Sequence, residues 1–158
     1  MLGGSHLSTT SLGSTASPTA SPTARATPEP TINAGAEEYR AFLIHLKDRP
    51  AQFLASYDAI EEAVVASDYA AVATAAGILE VTANNEIVWL DENPPAPCYG
   101  EVHRLHRATA QTAADAGHNL MTGATDLDFA LLQKGTASLI GISTEMSQVT
   151  AAMKLVSC

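Results

Sequence analysis

Two stretches decide how this chain folds: VVASDYAAVATAAGILEVTANNEI (Val64–Ile87) and LMTGATDLDFALLQKGTASLIGISTEM (Leu120–Met146). Each closes one helical pattern, sets an acidic residue at the next helix start, follows it with an aromatic residue and continues as a helix of small side chains. Joints as short as 67–68 and 122–126 leave consecutive helices no choice but to run antiparallel. The likeness of the two stretches reads as a weak internal repeat of one αα-hairpin, although any short-looped hairpin needs similar punctuation.

Working outward, the apolar spacing from Ala36 onward is helical, and alternating runs joined by hairpin dipeptides are absent. The first helix is expected over about 36–66, with Phe42, Leu46, Phe53, Tyr57, Ile60 and Val64 on one face. Pro50 interrupts it, so it is either kinked or split, with Asp48 available to cap a fresh start. The second starts at Ser67–Asp68 and reaches about Leu90, before DENPPAP. The third runs from Cys98 or Tyr99 to about Met121, stopped by Gly123. The fourth begins after Thr125 or Asp126 and continues towards Leu155. The expected fold is all-α: an up-down-up-down four-helix bundle over 34–158, preceded by a Ser/Thr/Pro-rich stalk over 1–33. Ala, Gly, Ser and Thr on helices two to four permit close approach, and three Phe and one Trp give a core of modest area.

The chain has 158 residues, 46% of them apolar, which suits one domain. Its net charge of -9 falls almost wholly after residue 33, because Arg25 and Glu29 cancel within the first 33. An acidic surface with no basic cluster repels phosphate backbones and anionic lipids, which argues against nucleic acid as a partner. No apolar run is long enough to span a membrane, and the first ten residues lack the pattern of a signal peptide. Any export signal is expected to have been removed or to lie outside this chain. Residues 1–31, with ASPT twice in succession, have too little apolar surface to fold; they read as a flexible or PPII-stiffened tail, or as an O-glycosylated stalk.

The Pro-rich joint PPAPCYGEVHRLHR (Pro94–Arg107) gathers one of the two cysteines and two histidines. Cys98 opens the third helix and Cys158 ends the chain, positions that an antiparallel pair brings together. A disulfide between them is expected and would add roughly 4 kcal/mol on the chain-entropy estimate. No CxxC or CxxCH is present, so the usual zinc and c-type haem signatures are missing. On a helical wheel His106 falls about 40° from the apolar axis, His103 about 100° from it, and Cys98 about 140° from His103. His106 therefore borders the core, His103 sits on its flank and His118 points outward. His45 is expected nearly level with His103, so a haem or metal site through His45, His103 and His106 is conceivable. The Glu-x-x-His pattern of carboxylate-bridged bundles is absent, and half-buried rings bound to backbone or solvent are the alternative. Arg104 and Arg107 stand beside them as candidates to hold an anion or a partner carboxylate, or as a solvated face. Nucleophile elbows, phosphate loops and paired carboxylates in a cleft are not evident, so no catalytic residue is expected.

From the Pro-rich joint through Pro94, Pro95, Pro97, His103, Gly123, Leu127, Asp128, Gln133, Gly135 and Thr136, the chain resembles uncharacterised bacterial secreted or lipoprotein-like helical-bundle proteins with an N-terminal Ser/Thr/Pro linker. The resemblance spans roughly residues 90–150. It implies display outside the membrane and supplies no activity; unlike lipid-anchored members, this chain has no Cys near residue 1. The expectation is a non-enzymatic extracytoplasmic module on a cell surface, with a binding or structural role towards a protein or cell-envelope partner and no cofactor. The rivals are a self-assembling surface or filament subunit, hence a homo-oligomer, and the haem or metal carrier.

Overall fold

The computed structural model describes residues 40–47 and 50–157. Residues 1–39, the tail and the expected start of the first helix among them, lie outside the described residues, as do Asp48, Arg49 and Cys158. Four helices follow a helical stretch at 40–47: α1 (Pro50–Val65), α2 (Tyr69–Glu92), α3 (Gly100–Asp126) and α4 (Phe129–Leu155), with a 3-10 turn at Pro97–Tyr99 before α3. There is no strand among the described residues, and the helices form a bundle. Proline opens α1, where its missing N–H is no loss. The expected kink or split at Pro50, with Asp48 as its cap, turns on Asp48 and Arg49 and so lies outside the described residues.

Both tight joints are built alike. A residue with positive φ (Ser67, 55°; Leu127, 56°) turns the chain, and the following Asp sends its N–H back to a carbonyl of the finished helix. The same Asp then caps the next helix: Asp68 accepts from the Ala71 N–H at 3.0 Å, and Asp128 from those of Ala130 and Leu131 at 2.9 and 3.2 Å. This corrects the expected end of the third helix. α3 does not stop at Gly123 but runs to Asp126, and α4 starts at Phe129, leaving only Leu127 and Asp128 between them.

The pairings across α2 and α3 run in opposite order, with His118 on Glu80, His106 on Glu86 and His103 on the Leu90 carbonyl. The two helices are therefore antiparallel. Gly117 sits where α3 meets α2: a Cβ there would stand 2.7 Å from the Glu80 nitrogen and 2.8 Å from the Ala76 oxygen. Gly123 fits against Leu132 and Asp128, and Gly135 against Leu120, so α4 also closes tightly on α3. Ala76, Ala83, Ala113 and Ala116 are fully buried between these helices. α2, α3 and α4 thus pack as a close sheet of helices. The backbone of α1 lies nearest α2, and its side chains reach further: Ile60 shares a buried cluster with Ala113 of α3 and Leu139 of α4, and Ala63 another with Ala124.

At the joint end of α3, Phe42, Leu90, Tyr99, Val102 and Val149 form a second core, against which Leu46, Trp89 and Val156 pack. Val156, two residues before Cys158, thus shares a cluster with Tyr99, one residue after Cys98. No described cysteine is free.

These contacts predict opposite signs for two glycine substitutions in long helices. Gly117→Ala should cost about 2 kcal/mol, because the clashing atoms are backbone and the strain of overpacking exceeds the roughly 1 kcal/mol of helix propensity gained. Gly141→Ala, where a Cβ meets nothing within 4 Å, should stabilise by about 0.5–1 kcal/mol. Urea denaturation of the two variants beside the parent checks both.

Candidate functional site

The most unusual group in the bundle is Glu86, an acid on the buried stripe of α2. Positions 72, 76, 79, 83, 86 and 90 recur at alternating spacings of four and three, and all but Glu86 are apolar. Its side chain is 0% exposed. A carboxylate removed from water at that depth must be hydrogen-bonded and paired, or it neutralises. Two histidines meet it: His106 Nε2 of α3 lies 2.8 Å from Oε1, and His45 Nε2 of the 40–47 stretch lies 2.8 and 2.7 Å from Oε1 and Oε2. Burial alone would raise the Glu86 pKa, but the hydrogen bonds and charge of His106 and His45 outweigh it and hold the carboxyl below its ordinary 4.5. The ionised oxygens only accept, so both imidazoles donate from Nε2.

Aromatic packing sets the His45 ring. It stacks on Trp89 with centroids 3.4 Å apart and planes 5° from parallel. Trp89 is one turn beyond Glu86 on α2, so a single helix face supplies both the carboxylate and the platform that orients its partner. Phe42 lies a turn before His45, against Trp89, Tyr99 and His103.

Of the residues singled out in the sequence, His45 and His106 come together, and His103 does not join them. Its Nε2 donates to the Leu90 carbonyl at 2.8 Å. The expected level of His45 with His103 is corrected: it is level with His106, because Glu86 draws both rings to one point. The three imidazoles do not converge, and among the described residues no group of three or more His, Cys, Asp and Glu is arranged to hold a metal ion. Arg104 forms a two-pronged pair with Glu101, and Arg107 another with Asp91, all on the surface. These bonds hold Glu101 and Asp91 below the ordinary carboxylate range. Both guanidiniums already have carboxylates from this chain.

Sequence reasoning missed a cleft of about 940 Å³ between α1 and α4. Phe53 and Tyr57 of α1 form one wall, Ile142 and Met146 of α4 the other, and Ala110 and His106 of α3 lie between them. Its volume is at the upper end of small-molecule pockets, and its lining is mainly apolar with a few polar groups. His106 belongs to both features: it lines the cleft and donates to Glu86. Its Nδ1 is buried and has no hydrogen-bond partner among the described residues.

The cluster predicts an acid limb in stability. The folded-state pKa of Glu86 is depressed, so its contribution is complete above the ordinary value of 4.5 and is lost as pH falls through the lower folded value. Glu86→Gln removes the charge that the two rings surround and leaves one ring N–H without its acceptor, and should cost about 1–3 kcal/mol at neutral pH. Urea midpoints measured from neutral pH to below pH 4 should fall less steeply in the variant than in the parent. Compared with family models, curated proteins and solved structures, the chain matches none.

Proposed function

We propose that this protein is a non-enzymatic, extracytoplasmic binding module that takes an apolar or amphipathic small molecule into the cleft between α1 and α4. The observation that carries the reading is the open seam. α3 closes on α2 and on α4 through glycine and alanine, whereas α1 and α4 leave between them a cleft lined mainly by apolar side chains. A bundle that needed only to be stable would bury those side chains by bringing α1 onto α4. The buried acid serves as framework: both of its oxygens are engaged by histidines, and nothing beside it resembles a nucleophile awaiting a base.

The extracytoplasmic setting rests on the Ser/Thr/Pro-rich composition of residues 1–33 and on a Cys98–Cys158 disulfide, which the packing of Val156 with Tyr99 favours. Display on a cell surface follows from the same stalk composition. Thiol titration of the denatured, unreduced protein should find no free thiol; two reactive thiols would remove this support.

The binding reading is tested by extracting native protein with organic solvent and identifying what is released by mass spectrometry. A polarity-sensitive dye should bind the extracted protein with one-to-one stoichiometry. Ser143→Trp, placed at an exposed position on the cleft wall, should abolish dye binding while leaving the thermal midpoint within a few degrees. Unchanged dye binding in that variant would place the site elsewhere.

Self-assembly is the second reading, favoured by Val65, Leu127 and Phe129, which are 82, 58 and 68% exposed around the two tight joints at one end of the bundle. Light scattering after size exclusion distinguishes it: a dimer that Phe129→Ser converts to monomer supports assembly through that end.

A further inference from the structure

We infer that the ligand of the cleft is a long-chain carboxylate, its head at Lys154 and its hydrocarbon chain running along α4 towards Leu139. The inference rests on the binding reading above and names the class of ligand. Leu139, Ser143, Ser147, Thr150 and Lys154 line the cleft and recur at spacings of four and three, so they form one stripe on a face of α4. From the first to the last the helix rises about 22 Å, so the cleft is elongated. Its two ends differ. At one, Leu79, Ala113 and Leu139 belong to the buried core, 2, 0 and 6% exposed. At the other, Thr150, Lys154 and Leu155 are exposed. A cleft that is closed and apolar at one end and open and charged at the other fits a hydrocarbon chain with a single polar head.

Charge chooses the head. The chain carries -9, yet among the described residues none of those lining the cleft is Asp or Glu. Two groups able to carry positive charge do line it. The His106 imidazole donates to the Glu86 carboxylate at 2.8 Å, so any charge on that ring is answered within the protein. Arg104 and Arg107 are likewise paired, with Glu101 and Asp91, whereas Lys154 has no ion pair among the described residues. An ammonium without a carboxylate, at the open end of an apolar cleft, complements a ligand that brings its own. One ammonium matches a monoanion; a phosphate head, at nearly two charges, would leave one unmatched beside an acidic protein. Three hydroxyls on the walls are already engaged: Thr109, Ser147 and Thr150 donate to the Leu105, Ser143 and Met146 carbonyls of their own helices. The walls therefore ask of the ligand's body little beyond apolar contact.

The test titrates the full chain, after solvent extraction, with dodecanoate, dodecylammonium, dodecanol and dodecyl phosphate by calorimetry, in the parent, Lys154→Gln and Lys154→Glu. Lys154 stands in the last turn of α4, where a cation also suits the helix C-terminus, so the readout is the order of the ligands and not stability. The parent should bind dodecanoate about fivefold more tightly than dodecylammonium, against its net charge of -9. Lys154→Gln should weaken dodecanoate about fivefold and leave dodecanol unchanged, and Lys154→Glu should reverse the order of carboxylate and ammonium. Decanoate should bind about tenfold more weakly than dodecanoate, for the loss of two buried methylenes. An unchanged order in Lys154→Glu would overturn the inference and leave the binding reading standing, as would tighter binding of dodecyl phosphate than of dodecanoate in the parent. No binding of any of the four would overturn both the inference and the apolar-cleft reading.

Discussion

One buried carboxylate organises the half of the bundle where the chain is least regular. Glu86 comes from α2, its partners from α3 and from the 40–47 stretch, so three segments distant in sequence are drawn to one pair of oxygens. Apolar packing alone is a weak way to place the 40–47 stretch, because hydrophobic contact is non-directional and tolerates sliding. Two short hydrogen bonds to a fixed anion are directional, and a displaced ring would leave the charge unsatisfied in a dry interior at a cost of several kcal/mol. The stacking of His45 on Trp89 and the seating of Phe42 beside it then follow from the position of His45. Such clusters hold an arrangement unique more than they add net stability.

The other half is governed by the absence of side chains. Gly117 admits the α2 backbone and Gly135 admits Leu120, so α2, α3 and α4 approach more closely than alanine would allow. Close approach of three helices consumes the faces of α3, and α1, with 16 residues against 27 in α3 and α4, covers only part of what is left. The cleft is what remains between them, with Phe53 and Tyr57 of α1 on one side and Ile142 and Met146 of α4 on the other.

How much of this was legible depended on whether the signal was local. Asp68 was readable as a cap because capping is a property of a few consecutive residues, and the short joints fixed the antiparallel order. Gly123 was misread as a stop for the same reason: an interior glycine chosen for a neighbouring helix looks, along the sequence, like a helix end. His106 at the core edge and His118 outside followed from the wheel alone. Glu86 carried a signal that was present and unused, an acid in phase with Val72, Leu79 and Leu90 on an otherwise apolar stripe. Its meaning lay in partners 41 and 20 residues away. The cleft left no local trace, because a gap between α1 and α4 depends on how closely segments distant in sequence pack.

His106 joins the two halves, and this has a thermodynamic consequence. A ligand in the cleft packs against the same residue whose Nε2 proton is held by Glu86, so occupancy of the cleft and ionisation of the carboxylate are linked through one imidazole. Holding the ring in place from the cleft side strengthens the bond that keeps Glu86 charged, and the bond to Glu86 in turn holds the ring where the cleft wall needs it. Linkage is reciprocal: whatever the ligand adds to the cluster, the cluster adds to the ligand's affinity. Protonating Glu86 would remove the anion that holds both rings, and the cleft would lose the fixed position of His106 together with the anchor of the 40–47 stretch.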